Sequence, residues 1–193
     1  MVKLKVFYLF LKFYIDLFIG RSLFATDILP TVFDINFLKL KSDYDLVIFD
    51  FDDTLAGYHD KLGEKSRKLL KELVDLGFKV AIYSNSPRKR IKKDLDFFAE
   101  LKLFVSYTKN KPNPKGYFEI MQEFDINPNR TVMVGDMPIT DMYGAYLAGI
   151  KKRILVHPYS EILSGHKSPF PFSLVRAQER NSCSKLIGRE KRL

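Results

Sequence analysis

The chain has 193 residues, of which 46% are hydrophobic, 14% aromatic and 28% charged, a balance that excludes a disordered, collagen-like or polytopic membrane protein and fits one globular domain with an appendage. Its single cysteine, Cys183, excludes an internal disulfide and a cysteine metal cluster, so a cytoplasmic setting is expected. The net charge of +9 gathers at the ends, with +3 over residues 1–24 and +4 over residues 176–193, and such a surface favours anionic lipid or nucleic acid.

The first element is a helix over Val6 to Ile19, where Lys12 and Asp16 interrupt an otherwise apolar run. Fourteen residues fall short of the ~20 needed to span a bilayer. On a helix Lys5, Lys12 and Asp16 share one stripe, because spacings of seven and four return to the same face. An amphipathic helix of this kind lies either on a membrane surface or on its own domain. Asp45 to Phe51 is a continuous apolar run and reads as a buried parallel strand. Glu64 to Leu76 carries Leu69, Leu70, Leu73 and Leu76 at helical spacing, with Gly77 as its cap. Phe78 to Tyr83 is the next strand, Pro87 to Phe98 a helix, and Leu103 to Tyr107 a third strand. Pro114 opens a helix to Phe124, Arg130 to Gly135 is a fourth strand, Thr140 to Ala148 a helix and Arg153 to Val156 a fifth strand. This regular alternation predicts an α/β fold, a doubly wound parallel sheet with helices on both faces. Residues 157–174, with Pro158, Pro169 and Pro171, read as a loop-rich connection to the basic tail.

In a doubly wound sheet the site lies beyond the carboxyl ends of the strands. The first strand delivers Asp50, Asp52, Asp53 and Thr54 there, and the second Ser84, Asn85 and Ser86. The third leads to Lys109 and Lys111, and the fourth ends at Asp136, with Asp141 five residues on. In extended chain Asp50 and Asp52 point the same way, so one can attack a substrate while the other moves protons. Asp50, Asp52, Asp136 and Asp141 in one crevice repel each other without a cation, and oxygen-only ligands suit Mg²⁺. Lys111 and the Ser84 hydroxyl supply donors for phosphoryl oxygens, with Thr54 and Asn85 as further phosphate-binding candidates, which makes phosphoryl transfer the reaction class. Singly, each of these residues also fits an ordinary turn or helix start. Asp53 reads as a turn residue, and His59, His157 and His166 fit no triad or metal spacing.

These residues resemble the haloacid dehalogenase-like phosphatases. VIFDFDDTL is similar to the family's D-x-D-x-T motif, IYSNS to its second, Lys111-Pro112 to its third and VMVGDMPITD to its fourth, in order over about residues 45–156. The resemblance implies a Rossmann-like Mg²⁺ phosphomonoesterase. Its nucleophile is Asp50, forming an aspartyl-phosphate, and its general acid/base is Asp52. Ser84 and Lys111 bind phosphate, while Asp50, Asp136 and the Asp52 main-chain carbonyl hold the metal with Asp141 in support. Lys109 competes with Lys111, and the following proline favours Lys111 by resemblance. Ile28-Leu29-Pro30, the short spacers and ILVHPY resemble the YqeG-type branch, which is similar to mitochondrial phosphatidylglycerophosphate phosphatases. Asp53 replaces that branch's usual asparagine, and Met137 its glutamine.

The expected organisation is an amphipathic segment over residues 1–29, a phosphatase domain over 30–160 and a basic extension over 161–193. The gaps after the first and second motifs are too short for a separately folded cap, so the site should be open. Open sites suit a lipid head group, with residues 1–24 touching the cytoplasmic side of a membrane. The first reading is a phosphatase for an anionic membrane lipid, phosphatidylglycerophosphate by resemblance. The alternative is a soluble phosphatase for a nucleic-acid terminus or a small metabolite, nucleic acid being the weaker expectation, and a non-enzymatic basic binding protein is the third reading. Arg88, Lys89, Arg90, Lys92 and Lys93 crowd one helix start beside the site mouth, where Asp94 and Asp96 are expected to neutralise them in part.

Overall fold

The predicted alternation forms a layered α/β structure in the computed structural model, which describes residues 2–18, 24–57, 60–86, 91–106 and 110–159. The strands are β1 (Asp27–Leu29), β2 (Leu46–Phe49), β3 (Lys79–Tyr83), β4 (Phe104–Ser106), β5 (Thr131–Gly135) and β6 (Lys152–Val156). They make one sheet in the order β1-β6-β5-β2-β3-β4, and every pairing is parallel. Around it lie α1 (Val2–Phe18), α2 (Phe37–Leu40), α3 (Glu64–Asp75), α4 (Leu95–Glu100), α5 (Lys115–Glu123), a π-helical segment (Pro138–Tyr143) and α6 (Gly144–Leu147).

The central strand β2 is apolar throughout because both of its faces are covered. Successive residues of β2 enter different cores. Val47 and Phe49 join Val80, Ile82, Val132 and Val134 beneath α2, α3 and α4, while Leu46 and Ile48 join Ala81, Tyr83 and Met133 on the side of α1, α5 and α6. On α3, Leu70 and Leu73 point inward, and Gly77 follows at φ +83°, the left-handed conformation that ends a helix at least cost.

Helix α5 approaches β3 closely enough that only glycine fits at position 116. A Cβ there would lie 2.4 Å from the Tyr83 ring. That ring is fully buried and packs edge-on against Tyr117 at 4.8 Å, so it has nowhere to go. Gly116→Ala is therefore expected to cost about 2–3 kcal/mol by overpacking, seen as a lower denaturation midpoint at unchanged m-value.

Several elements differ from expectation. Strand β1 falls within residues 1–29, ahead of the predicted domain start, because three residues are too few to display a period of two. Of the helix expected from Pro87 to Phe98, residues 87–90 lie outside the described residues, and the remainder contains a 3₁₀ turn, Lys92–Asp94, followed by the short α4. Asp94 does not sit on a solvated face; it is buried, ion-paired with Arg67, and accepts the Leu62 N–H at 3.3 Å. The helix expected over Thr140 to Ala148 begins instead as the wide π segment, which turns Asp141 inward, as such segments do at functional sites. Helix α1 starts at Val2, four residues before the predicted boundary. Among the described residues no helix is long and apolar enough to cross a membrane. No inserted domain appears among them after the first or second motif.

Candidate active site

From β2 the chain winds through β3 and β4 on one side, then returns to β5 on the other side of β2. The crevice between β2 and β5 is therefore the topological switch point, where ligands bind in open α/β sheets. Asp50 follows β2 and Asp136 follows β5, so sheet topology alone brings them together. With Asp141 from the π segment they form a buried triad in which one carboxylate oxygen from each residue lies within 4.8 Å of the other two.

Lys111 reaches into this triad. Its Nζ lies 2.7 Å from Asp50 Oδ1 and 2.6 Å from Asp141 Oδ1, and the residue is only 3% exposed. Behind it the Tyr83 ring sits 5.4 Å from the ammonium. Burial, the largest influence on Lys111, disfavours its charge, but Asp141 and Asp50 outweigh it and hold the group above its usual range. Burial likewise dominates at Asp50 and, with the Asp141 charge, pushes its carboxyl up to about 7 against the pull of Lys111. One ammonium among three carboxylates leaves the pocket anionic when all are ionised. Such an all-oxygen donor set fits a hard divalent cation.

The surrounding residues fix this arrangement. Asp141 Oδ2 accepts the Met137 N–H at 3.0 Å, and the Tyr117 hydroxyl donates to the Asp141 main-chain carbonyl at 3.1 Å. Gly135 leaves room for it, since a Cβ there would lie 2.4 Å from Asp141 Oδ2.

The structure places the other candidates as follows. The Asp52 carboxylate lies outside the triad and accepts a short hydrogen bond from the Ser86 hydroxyl. Ser84 is buried, and its Oγ accepts the Ser86 N–H at 3.1 Å. Asn85 uses both ends of its amide on the Lys111 main chain, accepting its N–H at 2.9 Å and donating to its carbonyl at 3.2 Å. Its side chain thus positions the lysine. Thr54 is 1% exposed, and its hydroxyl has no hydrogen-bond partner among the described residues. It lines a cavity of about 260 Å³ with Thr31, Lys65, His157 and Tyr159. Asp53 sits at φ +58° in the turn, with its N–H bonded to the Ala56 carbonyl at 2.7 Å. The left-handed conformation is one that aspartate and asparagine adopt more readily than most residues, which fits the exchange noted at this position.

The sequence places Ser86 at the strand end without assigning it a role, and gives Tyr117 and Gly135 none in the site. Ser86 carries a signal in the sequence, a hydroxyl two residues beyond Ser84 at the same strand end. Tyr117 carries no such signal, since a helical aromatic looks like core. Lys109, His59, Arg88, Lys89, Arg90, His166 and Cys183 lie outside the described residues.

A family profile described as haloacid dehalogenase-like hydrolase matches residues 58–155, half of the chain. The chain belongs to this family. The match begins after the first motif, so Asp50 and Asp52 enter this haloacid dehalogenase-like hydrolase's site through the geometry above. Among curated proteins, a phosphoglycolate phosphatase of Vibrio vulnificus is 28% identical over 152 residues, 75% of this chain and 64% of that one. A glyceraldehyde 3-phosphate phosphatase of Pyrococcus abyssi is 32% identical over 92 residues, 45% and 39% of the two chains. The chain thus spans less than two thirds of either relative. A hypothetical protein of Xanthomonas campestris shares the fold, with a TM-score of 0.50 at 17% identity over 83% of this chain and 97% of that one.

Proposed function

We propose that this haloacid dehalogenase-like hydrolase is a Mg²⁺-dependent phosphomonoesterase that works through an aspartyl-phosphate. The observation that carries the proposal is the buried cluster of Asp50, Asp136, Asp141 and Lys111 at the switch point. In this mechanism an Asp50 carboxylate oxygen attacks phosphorus as the bond to the leaving oxygen breaks. Asp52, held by Ser86, protonates that leaving oxygen. It then takes a proton from the water that hydrolyses the acyl phosphate. Lys111 and Ser84 donate to the phosphoryl oxygens, where charge accumulates. Asp50, Asp136 and the Asp52 main-chain carbonyl would hold Mg²⁺, with Asp141 supporting them; the ion supplies charge neutralisation at the phosphoryl oxygens.

The named activities of the two curated relatives support a small phosphorylated metabolite as substrate. The resemblance to the phosphatidylglycerophosphate phosphatase branch supports a lipid phosphate instead, and the absence of an inserted domain among the described residues suits that bulkier substrate. A phosphate-release screen across phosphoglycolate, glyceraldehyde 3-phosphate, lipid phosphates and phosphorylated oligonucleotides separates the two. Chelation is expected to silence release and Mg²⁺ to restore it. Ca²⁺ should serve poorly because its longer, looser coordination misplaces the reacting groups. Full activity after exhaustive chelation would remove the metal from the mechanism.

A further inference from the structure

Helix α1 has two apolar faces, and the domain uses only one of them. Phe13 is fully buried, and its ring meets Phe24 at 5.7 Å and Tyr143 at 5.4 Å. Phe10 packs against the same cluster. Tyr143 belongs to the π segment that carries Asp141, so α1 is docked on the element that builds the site. The other apolar face points outward. Phe7, Tyr8, Leu11, Tyr14 and Ile15 are 68%, 62%, 50%, 45% and 52% exposed. At about 100° per residue these five positions fall within an arc of roughly 120°. Lys12, also exposed, borders that arc.

The docked face explains why α1 is held to the domain, but not why five large apolar side chains remain in water. A contiguous patch of this kind marks an interaction surface. We infer that the outward face of α1 is an interfacial docking surface for an anionic lipid bilayer. The charge argues for this occupant: residues 1–24 carry Lys3, Lys5, Lys12 and Arg21 against Asp16, within a chain of net +9. A seventeen-residue helix is too short to span. Lying flat, it can insert its apolar side chains while its basic residues meet lipid phosphates. Tyr8 and Tyr14 suit that depth, since a phenol buries its ring and keeps its hydroxyl wet. The inference is independent of the proposed reaction, because docking requires no turnover.

Sedimentation of the full-length chain with vesicles tests it. Vesicles of equal phosphatidylglycerol and phosphatidylcholine should bind at least ~10-fold more protein than phosphatidylcholine alone at low salt, and added salt should erode the difference. The double variant Leu11→Asp, Ile15→Asp should lose binding to the anionic vesicles by at least ~10-fold. Both positions are exposed, so its melting temperature and helical circular dichroism should match the parent. The triple variant Lys3→Glu, Lys5→Glu, Lys12→Glu keeps the apolar face and should lose the preference for anionic over neutral vesicles. Failure of the parent to sediment with anionic vesicles would overturn the inference. So would undiminished binding of the Leu11→Asp, Ile15→Asp variant. A lipid-free dimer that this variant converts to a monomer would assign the face to a second copy of the chain, and overturn it equally.

Discussion

Asp50→Asn is expected to abolish phosphate release while leaving the fold intact. An amide is too poor a nucleophile to form the acyl phosphate, and loss of the attacking group lowers turnover by on the order of 10⁵ or more. The stability of the same variant should move the other way. Burial raises the Asp50 carboxyl to about 7 in the folded protein, whereas in the unfolded chain it ionises near ~4. A raised carboxyl favours the fold only while protonated, so its contribution is present below about pH 4 and lost as the pH rises through about 7. Without metal, Asp50→Asn should therefore be more stable than the parent at pH 8. That advantage should shrink as the pH falls to 5. Paired denaturant melts in chelator at the two pH values read this directly, and single-turnover assays read the chemistry. Turnover of Asp50→Asn at the parental rate would remove Asp50 as nucleophile.

Lys111→Met is expected to be the most damaging change to the metal-free fold. It keeps the shape of the aliphatic stem but removes the cation that faces Asp50 and Asp141 at 2.7 and 2.6 Å. Breaking a buried ion pair by deleting one partner costs about 3–5 kcal/mol, because the remaining charge stays buried. Here two carboxylates are abandoned, with Asp136 nearby. A loss of that size is a large fraction of the ~5–15 kcal/mol that a domain has in total. Mg²⁺ binding to the triad should return part of the lost stability without returning activity, because phosphate contact by the lysine is still missing. Thermal melts with and without Mg²⁺, beside phosphate release, distinguish the two effects. Equal melting of variant and parent in chelator would show that the lysine is no counter-ion.

Much of this arrangement is legible in the sequence, for physical reasons. A strand buried on both faces must be apolar without a break, so β2, β3 and β5 show themselves. The residues at their carboxyl ends are then fixed by topology, which is how Asp50, Ser84 and Asp136 can be placed before any coordinates. What depends on a long-range partner is not legible. Asp94 looks like a solvated helix residue until Arg67, 27 positions earlier, is seen to claim it. Asn85 looks like a substrate ligand until both ends of its amide are found on the main chain of Lys111, 26 positions on. The two faces of α1 also look alike in sequence, since Phe10 and Phe13 are no more apolar than Phe7 and Leu11. The packing of Phe13 against Phe24 and Tyr143 decides which face turns inward.

The three-residue strand β1 has a consequence for how the chain can be shortened. It covers Ile154, Leu155 and Val156 of β6, the strand that would otherwise form that edge of the sheet. Thr26 extends the seam by donating its N–H to the Arg153 carbonyl at 2.7 Å, and the Arg153 side chain grips the Phe24 carbonyl. Unpaired strand edges are templates for other chains, and this one is aliphatic. Cutting the chain after residue 29 would uncover it and invite strand-to-strand polymerisation. Cutting it before Phe24 would remove α1 and leave β6 covered.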